Sequence, residues 1–212
     1  GDGETLEEVI NAVEYAVFRA KSGKSGEICY CDKEMLDGLE RRRKVIMILK
    51  EKIADRSFEM YYQPIYSVAD GEFCYAESLM RIPESPIGPI YPSEFIPIAE
   101  ETGLIIDITY IMLDKVCRFI SRLLERGIPI QAIHVNFSAV QFSQNDLMEK
   151  VLEIIRRNHT PMSAIKIEFT ESTLAENTQV VSKFAVEMEK HGIKMGLDDF
   201  GTGYSNIATV IN

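Results

Sequence analysis

Between Ile130 and Leu197 short runs of β-branched and aromatic residues alternate with longer runs at helical spacing, and this alternation most narrows the folds open to the chain. Ile130–Phe137, Ser163–Thr170 and the alternating Ile193, Met195 and Leu197 predict three strands. Between them, Gln144–Arg157 places Leu147, Val151, Ile154 and Ile155 on one helical face, with Asn158 and Pro161 as terminators. A second helix over 176–190 turns Val180, Val181, Phe184 and Met188 inward. Strand, helix, strand, helix, strand means parallel strands joined by crossover helices. No Gly-x-Gly-x-x-Gly turn follows any strand, which disfavours a dinucleotide-binding fold.

Each predicted strand closes on an oxygen-bearing side chain: Glu77, Asn136, Glu168, then Asp198 with Asp199. The last two stand in Gly192–Asn206, GIKMGLDDFGTGYSN, where a short strand runs into two acids and a Gly-Thr-Gly turn. Adjacent strand residues point to opposite faces, so paired acids at a strand end reach two places, as a site with more than one cation requires. An acidic turn is the competing reading, because Asp and Gly are common turn residues. In a barrel of parallel strands the C-terminal ends converge on one mouth. Oxygen donors without sulfur or imidazole favour magnesium or manganese over zinc.

Upstream, Glu59–Tyr66 and Glu72–Ile82 predict two strands joined by the short Ala69–Gly71 turn, hence antiparallel neighbours. In the second, Phe73, Tyr75, Glu77, Leu79 and Arg81 share a face; a structural Glu–Arg pair competes there with a functional site. Residues 83–92 read as a loop. Ser93 is placed to cap a short helix ending before Gly103, and Asp107 to open a long one that Gly127 ends. Its stripe of Ile108, Ile111, Met112, Val116, Phe119, Ile120 and Leu123 reads as core.

At the N-terminus, Thr5–Glu8 forms a capping box for a helix reaching Lys21, and Glu27–Cys31 reads as a short strand. Asp32 caps a helix running to about Ala54, with Met35, Leu39, Ile46, Leu49 and Ile53 as its apolar stripe. Its Arg41–Lys44 run reads as a solvated face. Residues 1–31 look like the trailing edge of a preceding domain.

The formal net charge of −10 argues against generic nucleic-acid binding. A phosphate-bearing ligand at an acidic site needs bridging cations. Cys29, Cys31, Cys74 and Cys117 have no zinc-ligand spacing and read as reduced thiols of a cytoplasmic protein. His134, His159 and His191 read as structural or exposed. No run is long and apolar enough to span a bilayer, and no signal pattern opens the chain, so it reads as soluble, with a membrane anchor in a longer parent left open.

Five motifs, in order, resemble the EAL-domain family of cyclic di-GMP phosphodiesterases. They are Tyr62-Gln-Pro64, Glu77-Ser-Leu-Met-Arg81, Asn136-Phe-Ser138, Glu168-Phe-Thr-Glu-Ser172 and Asp198-Asp-Phe-Gly-Thr-Gly-Tyr-Ser205. Ser78 stands where the family has Ala. The resemblance implies an α/β fold, a modified TIM-like (β/α)8 barrel with one antiparallel strand, incomplete in this chain because three further strands would follow. It implies that Glu77, Asn136, Glu168 and Asp198 hold one Mg2+ or Mn2+, that Asp199 joins Asp198 at a second, and that Gln63, Leu79 and Arg81 contact substrate. Glu171 would brace the Asp-Phe-Gly loop near a homodimer contact. The implied reaction is in-line hydrolysis of c-di-GMP to linear pGpG by two cations about 3.5–4 Å apart that activate a water. The missing strands would bring a lysine, acids and a glutamine; without that lysine or an acid, a non-hydrolytic c-di-GMP receptor or interaction module is the alternative. Residues 1–31, through Ala20-Lys21, are similar to the end of a GGDEF domain; 32–56 form a connecting helix and 57–212 the EAL domain. No cyclase signature loop is present. An upstream sensor or GGDEF domain is the implied partner in the parent protein.

Overall fold

A computed structural model describes residues 33–176 and 178–198, with Val13 and Val17. The expected first helix (apart from those two valines), the Glu27–Cys31 strand, and Asp199 with the turn after it lie outside the described residues. The chain divides into two units, residues 1–49 and 50–212. Helix α1 (Lys33–Asp55) buries Val45, Ile48 and Leu49. The buried stripe is thus centred one position before the expected Ile46, which is only partly covered. Arg56 follows α1 in the left-handed region (φ 52°), and Ser57 N–H donates back to the Lys52 carbonyl, so the helix closes with a non-glycine residue in a glycine-favouring conformation.

In the second unit, β1 (Glu59–Ser67) and β2 (Glu72–Arg81) form the antiparallel hairpin expected from their short connection, with a bulge between Ile65 and Tyr66. Helices α2 (Pro92–Glu101) and α3 (Ile105–Glu125) follow. Then come β3 (Ala132–Asn136), a 3-10 turn (Ala139–Ser143), α4 (Leu147–Arg157) and β4 (Ile165–Thr170). Helices α5 (Glu171–Glu176) and α6 (Thr178–Lys190) lead to β5 (Lys194–Asp198). The sheet order is β1-β2-β3-β4-β5, and every pair after the first is parallel. Consecutive strands are neighbours throughout. That is the order of a barrel wall, whereas a doubly wound sheet reverses direction at a switch point.

One face of this sheet is the core. Ala76, Met80, Ile133, Val135, Ile165, Ile167 and Phe169 are buried on it. Over it lie the apolar stripes of α3 (Ile108, Met112, Val116, Ile120), α4 (Val151, Ile155) and α6 (Val181, Phe184, Met188). Tyr62 of β1 stacks on Phe119 of α3 with centroids 4.0 Å apart.

Several local expectations are corrected. Tyr91, not Ser93, is the N-cap of α2, because Pro92 begins the helix and fits its first turn without an N–H. Helix α3 starts at Ile105, so Asp107 lies in its first turn instead of capping it. Helix α4 starts at Leu147, because the segment before it is taken up by the 3-10 turn that Ser138 caps. Val180 is exposed; the buried residues of α6 are Val181, Phe184 and Met188, at spacings of three and four. Glu171, directly after β4, opens α5. Among the described residues no helix is long and apolar enough to cross a membrane.

Candidate functional site

The opposite sheet face carries the polar residues. Side chains in register on neighbouring strands, and those two apart on one strand, share a face. Gln63 is opposite Glu77, and Glu77 is opposite His134. Asn136 is level with Glu168, Glu168 with Gly196, and Thr170 with Asp198. Gln63, Glu77, Asn136, Glu168 and Asp198 therefore lie on one face of four consecutive parallel strands and the antiparallel edge. This follows from alternation: in β2 the buried residues are Cys74, Ala76, Ser78 and Met80, and Glu77, Leu79 and Arg81 point the other way.

The strand-end expectation needs one correction. Asn136 and Asp198 are the last residues of their strands, but Glu77 is followed by four further residues of β2 and Glu168 by two of β4. The parallel register absorbs the stagger. Asn136 Nδ2 donates to Glu77 Oε1 at 2.8 Å, tying β2 to β3 across the face.

Above them opens a cleft of about 270 Å³ whose wall includes Leu79, Arg81, Phe95, Met112, Asn136 and Asp198. Its apolar side comes from α2 and α3; its polar side comes from the strand ends. The Arg81 Nη1 donates to the Met80 carbonyl at 2.9 Å, which steadies the guanidinium at the cleft wall. Glu77, Glu168 and Gln63 lie on the same sheet face but outside that wall. Asp199 is outside the described residues.

Two residues outside the motifs complete the arrangement: Lys166, and His134, whose reading as structural or exposed gave it no place at the site. His134 Nδ1 and Lys166 Nζ both reach Glu168 Oε1, at 2.9 and 2.8 Å. Burial alone would push the Glu168 carboxyl up, but hydrogen bonds and positive charge from His134 and Lys166 outweigh it and hold the pKa below its ordinary value. Glu168 is consequently a carboxylate at neutral pH although it is 9 % exposed. The period-2 alternation was the signal available: His134 and Lys166 each stand two residues before a motif residue and so share its face.

Gly196 explains how these groups fit. A Cβ there would stand 2.6 Å from Lys166 Cε and 3.0 Å from both Cγ and Oε1 of Glu168. Only a residue without a side chain leaves that space. Ser78, the substituted motif position, is buried and donates to the His134 carbonyl at 2.7 Å, so its hydroxyl is satisfied.

Among the described residues no three His, Cys, Asp or Glu side chains close on one point as a metal cluster. The donors on this face are nonetheless carboxylates and an amide oxygen, the set that suits a hard cation. Asn136 points its amide N–H at Glu77, which leaves its carbonyl oxygen as the acceptor on the other side.

An EAL domain family model matches residues 47–212. The chain is 30% identical over 207 residues to the bifunctional diguanylate cyclase/cyclic di-GMP phosphodiesterase MucR of Pseudomonas aeruginosa, covering 98% of this chain and 30% of that protein. It is 27% identical over 207 residues to the cyclic di-GMP phosphodiesterase NbdA of the same species, covering 98% of this chain and 26% of that one. The chain thus spans under a third of these relatives. The solved MucR phosphodiesterase in complex with c-di-GMP superposes with a TM-score of 0.73 at 31% identity, over 78% of this chain and 67% of that one. With the family match covering most of the chain and the barrel-wall strand order beneath it, this protein belongs to the EAL domain family.

Proposed function

We propose that this domain hydrolyses cyclic di-GMP to linear pGpG. The observation that carries the reading is the register that puts Glu77, Asn136, Glu168 and Asp198 on one sheet face, beside a cleft with an apolar side and an arginine. The phosphodiesterase names of MucR and NbdA, and the c-di-GMP in the MucR structure, support it.

In this reading Glu77, Asn136, Glu168 and Asp198 hold one divalent cation, Mg2+ or Mn2+, and Asp199 with Asp198 serves a second. Such cations supply charge stabilisation at the phosphoryl oxygens and acidify a water. Arg81 and Gln63 orient the phosphodiester, and Leu79 with the apolar wall of α2 and α3 receives the flat face of a base. Asn136, hydrogen-bonded to Glu77, keeps that carboxylate aimed across the strands. Glu171, at the head of α5, supports the loop after β5 and a homodimer contact. We assign residues 1–31 to the end of a GGDEF-like domain and 32–56 to a connecting helix, in keeping with the bifunctional name of MucR. Cys74 and Cys117 are free thiols, in keeping with the cytoplasm.

The test is incubation of protein containing the complete EAL domain with c-di-GMP and Mg2+, followed by chromatography of the nucleotides. Linear pGpG that falls at least 100-fold on Glu77→Gln supports the reading, since a cation ligand contributes several kcal/mol to the transition state. Saturable binding of c-di-GMP without product makes the domain a receptor and refutes hydrolysis.

A further inference from the structure

Glu168 is held in an unusual way for a residue assigned to a cation. Both contacts of its carboxylate fall on one oxygen, Oε1: Lys166 Nζ at 2.8 Å and His134 Nδ1 at 2.9 Å. Among the described residues Oε2 accepts no hydrogen bond. The ammonium reaches Oε1 along its own strand, β4, and the imidazole from β3, so the carboxylate is clamped from two sides. Gly196 on β5 provides the room, since a Cβ there would meet the lysine stem at 2.6 Å. Three strands therefore cooperate to seat one positive charge on one carboxylate oxygen.

We infer that Lys166 is a resident counter-cation of Glu168, a positioning residue that a divalent cation must out-compete. This rests on the reading of Glu168 as a cation ligand. Two consequences follow from charge and geometry. A lysine ammonium against Glu168 stands within a few ångströms of any cation on Oε2, and like charges at that range repel appreciably at the intermediate dielectric of a half-buried site. With Oε1 capped, Glu168 also offers a cation a single oxygen. Lys166 thus lowers the affinity of the site for any dication while keeping the carboxylate ionised and oriented when no metal is bound. His134 Nδ1, 2.9 Å from the same oxygen, helps hold the carboxylate in place.

The experiment is a Mn2+ titration of the full chain, followed by the electron paramagnetic resonance signal of free Mn2+, for the wild type, Lys166→Met, Lys166→Arg and Glu77→Gln. Methionine keeps the stem that lies beside Gly196 and removes the charge; arginine keeps the charge. The expected result is Mn2+ binding about tenfold tighter in Lys166→Met, equivalent to about 1.4 kcal/mol. Lys166→Arg should stay within about twofold of the wild type. Circular dichroism of each variant checks that the fold is retained. Equal or weaker binding by a folded Lys166→Met, in a wild type that does bind, overturns the inference and leaves the ligand assignment standing. Binding by the wild type that Glu77→Gln leaves unchanged overturns the ligand assignment at Glu77. No Mn2+ binding by the wild type or by Lys166→Met overturns the ligand assignment and the inference with it.

Discussion

Asp114 is a position where one polar substitution should cost several hydrogen bonds at once. It sits in α3 at 2 % side-chain exposure, in the middle of an apolar stripe. Arg56 and Arg118 contact its Oδ2 at 2.9 and 3.0 Å; Arg157 and Asn158 contact Oδ1 at 2.9 Å each. One carboxylate thereby ties the residue after α1, the middle of α3 and the end of α4. Removing one partner of a buried ion pair costs about 3–5 kcal/mol when the other charge is stranded. Here the stranded charges are arginines that are 50–64 % exposed, so they rehydrate and most of that penalty is relieved. What remains is loss of charge from several hydrogen bonds, since the amide oxygen of a substituting asparagine would still accept. For Asp114→Asn this leaves about 2–3 kcal/mol. In a domain of this size that lowers Tm by roughly 4–12 °C. Urea unfolding followed by circular dichroism measures it. The pH dependence supplies a second check. Burial pushes the Asp114 carboxyl up, but the Asn158 and Arg157 hydrogen bonds and the Arg118 and Arg56 charges together hold it below its ordinary value. A depressed folded pKa contributes stability above the unfolded value of about 3.9, and loses it as pH falls through the folded value. The gap between wild type and Asp114→Asn should therefore narrow below about pH 4. A gap under about 1 kcal/mol at pH 7, or one unchanged between pH 7 and pH 3, refutes this account.

Two other substitutions test local packing. Gly196→Ala should cost about 1 kcal/mol, because Lys166 Cε is near the end of a flexible side chain that can swing aside while Glu168 gives by a few tenths of an ångström; Lys166 should then react faster with an acylating reagent, read by mass spectrometry, and a loss above about 3 kcal/mol would mean the contact is rigid. His159 follows α4 with φ 52°, and Thr160 N–H donates back to the Ile155 carbonyl as in a helix C-terminal motif. His159→Gly should therefore stabilise by about 0.5–1 kcal/mol in urea unfolding, relieving a left-handed backbone that carries a Cβ; a destabilised variant would show that the imidazole makes a contact worth more than that relief.

What could be read from the sequence, and what could not, divides along the range of the interactions. Parallel β3, β4 and β5 followed from alternating periodicity, because the side-chain period is a property of the backbone. The antiparallel β1–β2 hairpin followed from a connection too short for a crossover. The same period-2 rule sorts Lys166, Glu168 and Thr170 onto one face and Ile165, Ile167 and Phe169 onto the other; the three apolar residues are buried, Lys166 and Thr170 are half-buried, and Glu168 is buried under its two cationic neighbours. Helix starts were less legible. Ser93 and Asp107 are good caps by type, yet Pro92 and Leu104 come first, because tertiary packing decides where the chain turns in. Least legible were contacts between residues far apart in the chain. Asp114 sits among apolar neighbours in the text of α3, and nothing local announces that Arg56 and Arg157 will arrive at its two oxygens. Lys166 and His134 fall on the polar face by alternation, but that face says nothing of which oxygen of Glu168 they will share. Room for that pairing is left by Gly196, on a strand about thirty residues later, through the absence of a single carbon atom. The polar face is thus specified at two levels: local periodicity chooses which residues face it, and the close approach of β4 and β5 decides how their charges are paired.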